Sequence, residues 1–232
     1  MISENVKKAR NAIAEAAKKV GRDPETVTLI GVTKTVGIER IKSLLAAGVT
    51  TLGENRVQEF LPKYEALSKL DNPPEWHFIG HLQKNKVKYI IDKVILIHSV
   101  DSISLAEEIN KQAMKINKIV NILIEVNIAE ESSKFGVKIE QISDSIRNIE
   151  SMSYIRLKGL MCVPPFVENA QKNRLNFVKM RNLLVDINKK YIYHKKKQDL
   201  FELSMGMSGD YGVAVEEGAT MIRLGTALFG DR

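Results

Sequence analysis

Cysteine is nearly absent from this chain: Cys162 stands alone among 232 residues, so no internal disulfide can form. A fold without such staples is held by its core, as is usual in a reducing compartment. Also missing is any apolar run approaching the ~20 residues that cross a bilayer. The start, MISENVKKAR, carries charge but no apolar segment ahead of a small-residue cleavage site, so no secretory leader is expected. No H-E-x-x-H spacing or cysteine pair offers a zinc set. No G-x-G-x-x-G follows the first strand-like run, which argues against an open dinucleotide-binding sheet. What remains is a cytoplasmic chain without membrane attachment.

What the chain does have is apolar residues, 44% of the total, enough to bury a substantial core. It also has an excess of base, 35 Lys and Arg against 28 Asp and Glu, for a net charge of +7. The lysines are spread along polar helix faces, and the densest group, Lys189 to Lys197, reads as a long connection. Charge of this kind is a solvated face without a groove-reading element, so no specific nucleic acid is expected, and anionic small molecules profit from the field.

Periodicity then sets the architecture. Val6, Ala9, Ile13, Ala16 and Val20 recur at helical spacing before Gly21. Strand-like runs follow at 27–34, 49–53, 77–80, 94–99, 121–127, 156–161, 200–204 and 220–224. Helical patterns lie between them, including a short one over 83–91 and Ile139, Ile142, Ile146 and Ile149 on one face. Eight β-α alternations without a linker or composition shift predict one (β/α)8 TIM barrel over residues 1–232 with an extra N-terminal helix.

In such barrels the strand ends and the loops after them form the active mouth. Lys34 ends the first run on the face of Ile30 and Val32. An ammonium beside apolar walls loses hydration, and a readily freed amine is what Schiff-base chemistry needs; the alternative is a lysine that has left the barrel for water. After strand seven, LSMGMSGD (203–210) can turn backbone N–H groups toward an anion, with Ser204 and Ser208 adding hydroxyls. After strand eight, Gly225 permits close approach and Thr226 opens a short helix, where barrel enzymes often hold phosphate. Arg223 shares an inward face with Met221 and needs a partner, either a carboxylate such as Glu54 or a pyridine nitrogen. His77 and His98 read as strand residues with satisfied hydrogen bonds, His81 as a residue near the mouth, His194 as part of the basic connection, and Cys162 as a small buried hydrophobe without a charge partner nearby.

With these segments on view, the chain resembles the pyridoxal phosphate homeostasis protein family, relatives of the barrel domain of alanine racemases. The resemblance is carried by GVTKT (31–35), GENRVQE (53–59), WHFIGHLQKNK (76–86), SKFGV (133–137), LKGLMCVPP (157–165), LSMGMSGDY (203–211) and EGATMIRLGTALFG (217–230). It implies that pyridoxal 5′-phosphate (PLP) forms a Schiff base with Lys34, that Ser204, Gly225 and Thr226 hold the phosphate, that Arg223 faces the pyridine nitrogen and that Asn55 lies near the ring. An arginine at that nitrogen disfavours its protonation and weakens the ring as an electron sink. The racemases take a second base from an added β domain. This chain stops at Arg232, so that domain is expected to be missing.

The expected function is therefore PLP binding and carriage in intracellular homeostasis, with no catalytic residues assigned. The expected partners are PLP itself and, transiently, PLP-dependent apo-enzymes, and the expected state is a monomer. Lys134 is a candidate second amine through which cofactor leaves. The alternatives are an amino-acid racemase of low activity, a Schiff-base aldolase acting on a phosphorylated sugar, and a binding module that uses the basic surface.

Overall fold

The computed structural model describes residues 1–131, 135–192 and 201–230, with the side chains of 191 and 192 left aside. Eight short parallel strands close on themselves in chain order, β1 pairing with both β2 and β8. They are β1 (Thr28–Val32), β2 (Thr51–Glu54), β3 (Glu75–Phe78), β4 (Leu96–Val100), β5 (Val120–Glu125), β6 (Ile155–Met161), β7 (Glu202–Ser204) and β8 (Met221–Leu224). β2, β4 and β8 are buried along their whole length, and β1, β3, β6 and β7 toward their C-terminal ends, as strands between a barrel interior and a helix layer are. This is the (β/α)8 barrel that the alternation predicts.

The helices are α1 (Ile2–Lys19), α2 (Ile38–Ala46), α3 (Val57–Leu67), α4 (Ile103–Lys115), α5 (Ile142–Glu150), α6 (Arg174–Ile187), α7 (Tyr211–Glu216) and α8 (Thr226–Phe229). Their apolar faces and the outward strand residues form one large core, while Ile30, Leu96, Leu123, Met161 and Met221, from five strands, meet in a separate cluster inside the barrel. The extra N-terminal helix buries Val6, Ala9, Ile13, Ala16 and Ala17. It packs against α2, α7 and α8.

Two expectations need correction. Residues 83–91 form a 3-10 helix over Lys84–Tyr89 rather than an α-helix, and β1 stops at Val32, two residues short of Lys34. The gap between β2 and β3 holds α3, with Pro62 inside it, in keeping with the β-α alternation. Lys134, His194 and the far part of the basic connection lie outside the described residues.

Candidate active site at the barrel mouth

Lys34 sits in the turn after β1 and is exposed, so the apolar walls expected around its amine are not there. The backbone beneath it is held firmly. The Thr33 N–H donates to the Gly53 carbonyl at 2.9 Å. Glu54, fully buried at the end of β2, accepts the Thr33 hydroxyl at 2.8 Å and the Lys63 ammonium at 2.7 Å. Its other oxygen accepts the Asn55 N–H at 2.8 Å. The Asn55 side-chain oxygen is buried and has no partner among the described residues. A Cβ at Gly80 would lie 2.3 Å from the Asn55 carbonyl, so glycine is required for this close approach.

Across the mouth runs a second polar assembly. Arg223 donates through Nη1 to Ser204 Oγ at 2.7 Å and through Nη2 to the Cys162 carbonyl at 2.9 Å. Ser204 Oγ is 2.8 Å from His98 Nδ1, and His98 Nε2 is 2.8 Å from His77 Nδ1. A guanidinium only donates, so Ser204 Oγ accepts from Arg223 and keeps its own proton available for His98 Nδ1. With that proton given to His98, His98 donates from Nε2 to His77 Nδ1, and the hydrogen bonds run in one direction from the arginine. The contact between β4 and β7, which are not neighbours, crosses the barrel interior.

The electrostatics suit this order. Burial lowers the His77 pKa to about 4, and His98 is pushed well below its usual range by burial, then by His77 and Arg223, so both are neutral. Burial also works against the Arg223 charge, which Cys162, Glu125 and Asp210 support through space. Burial, with Asp101 adding, raises Glu125 to about 7. Glu125 lines a cavity of about 340 Å³ with Ile79, His81, Asn127, Phe135 and Val163, in which the His81 ring stacks on Phe135 with centroids 3.9 Å apart.

The two glycine-rich turns meet through Ser208. Ser208 Oγ accepts the N–H groups of Gly225 at 3.3 Å and Ala227 at 3.1 Å, which brings the loop after β7 onto the start of α8. Asp210 pins that loop, accepting the Met207 N–H at 2.7 Å and the Asn173 amide at 2.9 Å. Ser204 lies inside the barrel, fully buried, with its hydroxyl engaged by Arg223 and His98. Arg223 has no pairing with Glu54, whose cation is Lys63, a residue sequence reasoning missed. Cys162 is buried as expected, yet Arg223 stands at its carbonyl, a charged neighbour that was not foreseen.

Residues 5–232 match the alanine racemase N-terminal domain family. A pyridoxal phosphate homeostasis protein of Aquifex aeolicus is 44% identical over 229 residues, covering 99% of this chain and 97% of the relative. The protein of the same name from Pseudomonas aeruginosa is 39% identical over the whole chain and 96% of its own length. This chain belongs to the pyridoxal phosphate homeostasis protein family. Among solved structures, PipY of Synechococcus elongatus with PLP bound is similar at a TM-score of 0.85 and 30% identity, over 99% of this chain and 100% of that one. An alanine racemase of Clostridium difficile shares only the fold, at 17% identity and a TM-score of 0.69, and this chain spans 57% of it.

Proposed function

We propose that this chain is a PLP-binding homeostasis protein that holds its cofactor at the barrel mouth as a Schiff base with Lys34. One observation carries the reading: an exposed lysine amine and an inward arginine share the mouth of a chain matched from end to end by proteins of that name. Other features fit the cofactor. The buried Asn55 oxygen, without a partner among the described residues, suits the ring or its substituents. Gly225, Thr226 and the Ser208 turn suit a phosphate between the last two loops. Arg223 is assigned the pyridine nitrogen, and Ser204 is assigned to Arg223 rather than to phosphate. Bound PLP supplies an electrophilic aldehyde and an electron-withdrawing ring. An arginine at the nitrogen keeps that ring unprotonated, which favours carriage over carbanion chemistry.

The protein is read as one domain over residues 1–232, cytoplasmic and monomeric, meeting PLP-dependent apo-enzymes transiently. Among the described residues no helix is long and apolar enough to cross a membrane. A low-activity racemase is not favoured, because the family match is to the racemase N-terminal domain and this chain spans only 57% of a solved racemase, with which it shares the fold.

The test is the visible spectrum of PLP-loaded protein before and after borohydride, with mass mapping of the reduced peptide. A yellow band that collapses on reduction and leaves a pyridoxyl group on Lys34 is expected. Protein that stays colourless and unmodified after PLP is added sinks the reading.

A further inference from the structure

The turn that carries Lys34 is imposed rather than relaxed. Thr35 has φ of 59°, one of three non-glycine residues with positive φ among the described residues. For a β-branched side chain this conformation is costly, so its surroundings must enforce it. The peptide group before Lys34 presents the Thr33 carbonyl, which accepts Lys63 Nζ at 2.7 Å. The peptide group after it presents the Thr35 N–H, which donates to Glu59 Oε2 at 2.6 Å. Glu59 and Lys63 lie one turn apart on α3 and pair with each other at 3.1 Å. The remaining Lys63 proton goes to Glu54 Oε2, so all three ammonium donors are used. The Thr35 N–H above all, against a cost of burial, holds the Glu59 carboxyl below its ordinary range, so it is an ionised acceptor at neutral pH.

We infer that Glu59 and Lys63 are positioning residues for the cofactor amine: they clamp both peptide groups that flank Lys34 and so set where its Nζ stands when it meets an aldehyde. The inference rests on the reading of Lys34 as the anchor. Attachment forms one C=N bond from Nζ to the aldehyde carbon and releases the carbonyl oxygen as water. The clamp exchanges no atoms. Its part is to narrow the volume that a four-carbon side chain explores from a fixed root.

Two ligands separate positioning from plain binding: PLP, and pyridoxine 5′-phosphate, which has an alcohol in place of the aldehyde. In equilibrium dialysis, Glu59→Ala should hold PLP about tenfold more weakly, the worth of one charge-assisted hydrogen bond, and the alcohol within about twofold of wild type. Glu59→Gln keeps an oxygen for the Thr35 N–H and should recover most of the loss. Glu59→Asp is one methylene too short to reach, and is read in the same way if the alanine variant does not fold. Equal weakening of both ligands, or no weakening of PLP, overturns the inference. Failure of the anchor reading looks different, because wild-type protein would then give no borohydride adduct on Lys34 at all.

Discussion

The two polar assemblies inside the barrel mouth solve opposite problems. On the β1–β2 side, two carboxylates surround one ammonium, and the charges lock backbone in place. On the other side, a single guanidinium is held by neutral groups, a hydroxyl and a carbonyl, with both histidines uncharged. Among the described residues no carboxylate pairs with Arg223; Glu125 and Asp210 act on it only through space. Compensated charge makes a brace. A charge left uncompensated is one that a bound ligand can still use.

The sharpest way to break this comparison is to remove each cation. Lys63→Met leaves Glu54 buried without its partner and should cost about 3–5 kcal/mol of unfolding free energy, measured by denaturant titration. Arg223→Met strands only a hydroxyl and a carbonyl and should cost about 1–3 kcal/mol. Similar losses for the two variants would show that Arg223 is as structural as Lys63, and the distinction would collapse.

Titration sharpens the comparison further. Unfolded histidines take up a proton near pH 6.5, but folded His77 does so only near 4, and burial holds His98 well below its ordinary range. The unfolded state therefore binds more protons in that window, and these residues make stability fall as pH drops through it. Glu125 acts in reverse: its folded pKa is raised from 4.5 to about 7, so the stability it lends at low pH is lost as pH rises toward 7. His77 and Glu125 therefore pull the pH dependence of stability in opposite directions, each on the order of 3 kcal/mol. Glu125→Gln removes the opposing contribution. Between pH 4.5 and 6.5 the dependence of unfolding free energy on pH should steepen by about 1.4 kcal/mol per pH unit, one proton's worth. An unchanged slope would mean that Glu125 does not keep its proton in the folded state.

Much of this site could be read in the sequence, because strand alternation alone turns Ile30 and Arg223 inward, and the structure pairs them in register across β1 and β8. What alternation does not carry is depth and partnership. Ser204 was placed on the right strand end, but its depth depends on the stagger of a closed barrel, which a three-residue strand does not reveal. The sequence leaves the partner of Arg223 open between a carboxylate such as Glu54 and a pyridine nitrogen; the cation of Glu54 comes from α3 instead. A signal for Lys63 was present: it lies at i+4 from Glu59 and on the face of Phe60 and Leu67, where an unpaired lysine is not tolerated.

The smallest expected effects fall on the two serines, and they separate the floor of the site from its phosphate end. Ser204→Ala leaves a guanidinium N–H and His98 Nδ1 short of a partner inside the barrel, so the apo-protein should lose about 1–3 kcal/mol. Ser208 is only half-buried, and the N–H groups it accepts can turn to water, so Ser208→Ala should change apo-protein stability by less than about 1 kcal/mol. Its loss should appear instead as weaker retention of PLP and of inorganic phosphate, followed by dialysis. If Ser204→Ala weakens phosphate binding while stability stays intact, the assignment is reversed: the deeper serine is then the phosphate ligand, and Arg223 keeps its place without it.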